Sequence, residues 1–112
     1  MLGPFPLTEE ELSNEKYDNN GVYFLGGENF WGSNKIKYVG RGHLRTEIKL
    51  GLKKYSFFYY RVFPSIEGRF TKECSEYHRY GKSNNLDNKI HPARPNLSYP
   101  KCTELGCNGE PT

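Results

Sequence analysis

The sequence predicts an α+β fold, a small three-stranded antiparallel sheet flanked by helices, and three observations predict it. Two short apolar runs, residues 21–25 (GVYFL) and 36–40 (IKYVG), stand on either side of a polar connector rich in glycine and asparagine. A third run, residues 55–63 (YSFFYYRVF), is dense in aromatic and β-branched side chains, the composition of a well-buried strand. Between and after these runs the apolar residues recur every three or four positions, the period of helices that pack on a sheet.

The chain has 112 residues, enough for one domain with one modest core. Its net charge of +3, with both signs mixed, permits nucleic-acid binding without demanding it. Aromatic residues make up 15% of the chain and include nine tyrosines, enough to look for a chemical use. No apolar run approaches bilayer length and no signal peptide precedes the first polar segment, so a soluble cytoplasmic protein with no membrane partner is expected. Three cysteines, an odd number, make no disulfide framework.

Residues 1–20 read as a lead-in. Pro4 and Pro6 keep its start extended, and Thr8-Glu9-Glu10-Glu11 is a capping-box pattern that opens a short helix from Glu9 to about Asn14. The strand at 21–25 follows, then the connector over residues 26–35, then the strand at 36–40. Side chains two apart share a strand face, so Tyr23 lies with Gly21 and Leu25, and Tyr38 with Ile36 and Gly40. If the strands pair antiparallel, the two phenols approach each other on one face. Arg41-Gly42-His43 is a turn. Leu44, Ile48 and Leu52 then fall at i, i+4 and i+8 and form the buried stripe of a helix over residues 44–54, with Arg45, Lys49, Lys53 and Lys54 on its basic side. After the third strand, Pro64 breaks the chain. Residues 69–80 read as a second helix on a Phe70, Cys74, Tyr77 stripe, stopped by Gly81. The remainder is rich in asparagine and proline and reads as irregular.

The halves GVY (21–23) and YVG (38–40), followed by helix, strand and helix in that order, resemble the signature and element order of the GIY-YIG nuclease family. The resemblance covers residues 21–95 and leaves 96–112 as a tail. It implies a metal-dependent endonuclease that hydrolyses DNA phosphodiester bonds with one divalent ion, Mg²⁺ or Mn²⁺. It also implies catalytic roles for Tyr23, Tyr38, an arginine on the first helix, Glu73 as the metal ligand, and Asn88 as a late asparagine bracing the site. The arginine is where this chain departs. Members of the family place it three residues after the leucine that opens the helix, and counted from Leu44 that position is Glu47. Arg45 is the first candidate to serve from a shifted register, with Arg41 or Arg61 as substitutes.

The chemistry accounts for such a grouping. Phosphodiester hydrolysis must stabilise extra negative charge on phosphorus and generate a nucleophile from water. A carboxylate can hold a hard cation together with water and substrate oxygens, and a guanidinium fork matches phosphate oxygens. A tyrosine such as Tyr23 becomes a base only where nearby cations favour its phenolate. Glu76 is a rival to Glu73 as ligand, and His78 and His91 are candidates for phosphate contact. Arg41, Arg61 and Arg69 are candidates to hold the DNA backbone, a contact independent of sequence. Cys102 and Cys107 are spaced at the edge of the range for a zinc knuckle, with no second pair. The alternative function is a nucleic-acid or protein binding module in which the arginine change has removed cleavage.

Overall fold

A computed structural model describes residues 2–28, 34–63, 66–80 and 86–88, with the backbone alone at 28, 34, 66, 67, 69 and 70. The architecture is α+β, and the sheet is antiparallel with four strands rather than the three expected: β1 (Leu2–Pro6), β2 (Asn20–Glu28), β3 (Asn34–His43) and β4 (Phe57–Val62), in the order β1-β4-β2-β3. The added strand is the proline-containing lead-in. Proline cannot donate to a ladder, but β1 is an edge strand, where proline is tolerated. It pairs with β4 through an irregular register between Leu2 and Phe5.

The helices are α1 (Glu9–Leu12), α2 (Leu44–Lys49) and α3 (Ile66–Arg79). Thr8 caps α1 through a bond from the Glu11 amide at 3.1 Å, and the chain then tightens into a 3-10 turn over Glu15–Tyr17 instead of continuing to Asn14. Helix α2 ends before the expected Lys54. From Leu50 to Leu52 each amide bonds the carbonyl three residues back, so the chain winds into successive turns around Gly51, a poor helix former. Helix α3 starts earlier than expected, at Ile66.

Period-two alternation sends the strands' side chains to two cores. Tyr23, Leu25, Phe58 and Tyr60 pack on one face beneath Leu12, Tyr17, Leu44 and Ile48. Val22, Phe24 and Val39 pack on the other face against Tyr77 of α3 and Leu86. The central strand β2, covered on both faces, explains why GVYFL is apolar throughout. Among the described residues, no helix is long and apolar enough to cross a membrane.

Candidate functional site

The site is built at the edge of the sheet, where β3 has β2 on one side only. In the β2–β3 register Tyr23 stands opposite Gly40 and Leu25 opposite Tyr38, which puts both tyrosines on the α2 face, one step apart along the ladder. Their rings stack with centroids 6.2 Å apart and 19° between planes. The two motif glycines have separate reasons to be glycine. A Cβ on Gly40 would lie 2.3 Å from Cζ and Oη of Tyr23, so the phenol occupies the space a side chain there would need. A Cβ on Gly21 would lie 2.1 Å from the carbonyl oxygen of Arg61 on the neighbouring strand.

Arg41 points to the opposite face from Tyr38 and Gly40, toward α3. Its Nη1 meets Oε1 of Glu73 at 2.5 Å. Glu73 is buried, and burial pushes its pKa from the ordinary 4.5 up to about 7; Arg41 acts against that shift, and the charge of Glu47 adds to it. The phenols of Tyr23 and Tyr38 are both raised well above the ordinary value, by burial first. The neighbouring phenol and then Glu47 and Glu73 add to the shift at Tyr23, and Glu73 and Glu47 add to it at Tyr38. Both carboxylates therefore act on both phenols, Glu47 from the same face and Glu73 from across the edge strand.

Asn88 clamps that edge strand. Its Oδ1 accepts from the Val39 amide at 3.0 Å and its Nδ2 donates to the Val39 carbonyl at 2.7 Å, the pair of bonds a neighbouring strand would make. The Asp87 amide adds a bond to the Lys37 carbonyl at 2.5 Å. The amide side chain thus completes the ladder of an otherwise unpaired strand.

Arg45 is not part of this site, contrary to the expectation. Its guanidinium turns toward the lead-in, where Nε donates to the Leu12 carbonyl at 2.7 Å and Nη2 to the Asn14 carbonyl at 2.8 Å, with an ion pair to Asp18. The amides that follow α1 bond the Glu9, Glu10 and Glu11 carbonyls, and the guanidinium takes the Leu12 carbonyl at its end. The arginine beside Glu73 is Arg41, which directly follows the YVG half-motif. Arg61 also lies away from the tyrosines: it is exposed on β4, opposite Val22, with its guanidinium over the Phe63 ring at 5.1 Å. Arg69 falls on α3, and its side chain lies outside the described residues, as do His91, Cys102 and Cys107.

Glu76, the rival ligand, is buried on α3 but paired within its own helix, to Lys72 at 2.8 Å and Arg79 at 3.5 Å, and its charge acts on Tyr80. His78 packs edge-on against Tyr77. No protein-family model matches this chain, and neither does any curated protein or solved structure.

Beside the tyrosine pair opens a cleft of about 220 Å³, walled by Tyr23, Tyr38, Tyr55, Glu47, Lys54 and Asp87. Sequence reasoning passed over most of these. Tyr55 was read as a strand residue, but it lies just before β4 and donates to Asp87 Oδ2 at 2.7 Å. Glu47, which stands where the resemblance expects an arginine, lines the cleft. The one available signal was its place, three residues after Leu44.

Among the described residues no group of three or more His, Cys, Asp or Glu is placed to hold a metal ion. A hard divalent cation does not need one, because it commonly keeps several waters and takes one or two carboxylates. The residues fit that use: Glu73 is a buried carboxylate that already draws one cation, the Arg41 guanidinium, and a metal ion would relieve the same burial cost and repulsion from Glu47 in its place.

Proposed function

We propose that this protein is a small metal-dependent DNA endonuclease of the GIY-YIG type. The observation that carries the reading is the grouping of Tyr23, Tyr38, Arg41 and Glu73 at one sheet edge, with Asn88 holding that edge in place. These side chains come from two strands and a helix far apart in sequence.

In this reading a phosphate of the strand lies beside the Tyr23 phenol, whose ring covers Gly40. Glu73 would hold Mg²⁺ or Mn²⁺, which when bound would supply a Lewis acid for the phosphate oxygens. Tyr23 stays protonated at neutral pH, so in the free protein it orients water and does not deprotonate it. It becomes a base when cationic charge near the phenol outweighs the carboxylates of Glu47 and Glu73. Tyr38, half-buried and stacked on Tyr23, positions the same water or a phosphate oxygen. Arg41 is released from Glu73 toward the phosphate, for which its fork is suited. Nicking of supercoiled plasmid in Mg²⁺ or Mn²⁺, absent in EDTA, tests the reading.

A second reading has one specific observation in its favour. In the free chain Arg41 is engaged by Glu73 and Arg45 by α1, so Glu47 faces the tyrosines where the family has a cation. That arrangement suits a module that binds nucleic acid or protein without cutting. DNA binding with no metal-dependent nicking would favour it.

A further inference from the structure

We propose that the cleft beside Tyr23 and Tyr38 is a pocket for one unstacked guanine of the DNA substrate. The proposal rests on the nuclease reading, because it takes the tyrosine pair as the place where the strand's phosphate sits. Three features of the cleft define its occupant.

The first is size. At about 220 Å³ it lies below the ~300–1,000 Å³ of pockets for drug-sized ligands, and it suits a single planar heterocycle. The second is its walls. Tyr38 stacks on Tyr23 and meets Tyr55 at 6.4 Å with 45° between rings, so aromatic surface lines the cleft from the sheet edge inward. Aromatic rings are stacking platforms for any base taken out of a helix.

The third feature selects among bases. Tyr55 donates to Asp87 at 2.7 Å, and Lys54 lies 4.0 Å from the same carboxylate and 5.6 Å over the Tyr55 ring, so Asp87 is satisfied and holds the wall together. The Glu47 carboxylate has no ion pair or side-chain hydrogen bond among the described residues. It is an acceptor with two oxygens at an aromatic-lined cleft, and the Lys54 side chain lines the same cleft. Guanine alone presents two adjacent donors, N1–H and the N2 amine, beside an acceptor, O6. Those donors match the two Glu47 oxygens and O6 matches Lys54. Adenine and cytosine set an acceptor beside their one amine, and thymine sets a single N–H between two acceptors. Each of these would turn a lone pair toward a carboxylate oxygen. In a duplex this edge of guanine is hidden by pairing, so the substrate class is single-stranded or locally unpaired DNA, or a duplex from which the base is extruded.

The experiment measures binding of the full chain in EDTA, where nothing is cut, to a labelled short oligothymidine and to the same strand with one central guanine. The guanine strand should bind about tenfold tighter, the scale of one bidentate base contact. Central adenine or cytosine should give no such gain. Glu47→Gln, which replaces one acceptor by a donor, should bring the guanine preference to within about twofold. Arg45→Ala, whose guanidinium is bound to the lead-in carbonyls and not to the cleft, should keep it. In the unsubstituted protein, guanosine monophosphate should shift the amide resonances of Gly51 and Lys54, a readout that needs no variant. Equal affinity for the guanine and all-thymine strands, or nucleotide shifts that miss Gly51 and Lys54, would overturn the pocket. Intact nicking with no guanine preference removes the pocket and leaves the nuclease reading; guanine preference without nicking does the reverse.

Discussion

The ring of Tyr23 lies across the Cα of Gly40, and the two residues share one volume. A methyl group on Gly40 would come within 2.3 Å of both Cζ and Oη of the phenol. The second half-motif therefore needs its glycine to accommodate the tyrosine of the first. Gly40→Ala should displace the phenol from its place beside Tyr38 and destabilise the fold by about 1–3 kcal/mol through overpacking. The melting temperature should fall by roughly 5 °C or more. Nicking should be lost even at temperatures where the variant is folded. A variant with unchanged melting and turnover would show that the ring has room to move.

Tyr23→Phe keeps the ring and its stacking and removes only the hydroxyl. The nicking rate should fall roughly 10²-fold or more, the scale of a general base. The neutral hydroxyl bonds only the neighbouring Tyr38 phenol among the described residues, so the melting temperature should fall by no more than the worth of one hydrogen bond, ~1 kcal/mol. Turnover equal to the parent protein would return Tyr23 to a packing role.

Glu73 has its folded pKa raised, from 4.5 to about 7. Between these values the folded chain holds a proton that the unfolded chain has released. The stability contributed by this carboxyl is thus complete below about pH 4.5 and is lost as pH rises through about 7. The parent protein should melt at a higher temperature near pH 5.5 than near pH 8, where about 5.5 and 8 bracket the transition. Glu73→Gln should flatten that slope by up to a few kcal/mol and abolish metal-dependent nicking. Mg²⁺ at pH 8 should raise the melting temperature of the parent and leave the Gln variant unmoved. Identical pH slopes in the two proteins would mean that Glu73 is ionised across the whole range.

Arg45→Ala should act on stability alone. Its guanidinium satisfies the Leu12 and Asn14 carbonyls at the end of α1 and pairs with Asp18. Losing these bonds should cost about 1–3 kcal/mol, as hydrogen bonds from a charged group do. Nicking per folded molecule should stay within about twofold of the parent, since among the described residues Arg45 bonds none of the groups proposed for catalysis. A large loss of turnover with normal melting would return Arg45 to the site.

Strand and helix positions were legible in the sequence wherever local pattern carries the information. The unbroken apolar run GVYFL, the alternation in IKYVG and the spacing of Leu44 and Ile48 each reflect which faces are buried, and such burial is written residue by residue. The motif residues Gly21, Tyr23, Tyr38 and Gly40 belong to this class, because strand parity alone sets which of them share a face. What lay beyond the sequence was set by contacts between distant segments. The lead-in became a fourth strand because the edge of β4 was open to it, and nothing within residues 2–6 states that pairing. Arg45 was drawn from the site by carbonyls left at the end of α1, a demand made more than thirty residues away in sequence. Arg41 and Asn88 took up their positions because β3 is an edge strand, with α3 on one face and an unfilled ladder on the other. Periodicity reports which face of an element is buried; only the closed tertiary structure decides which charges and amides then meet.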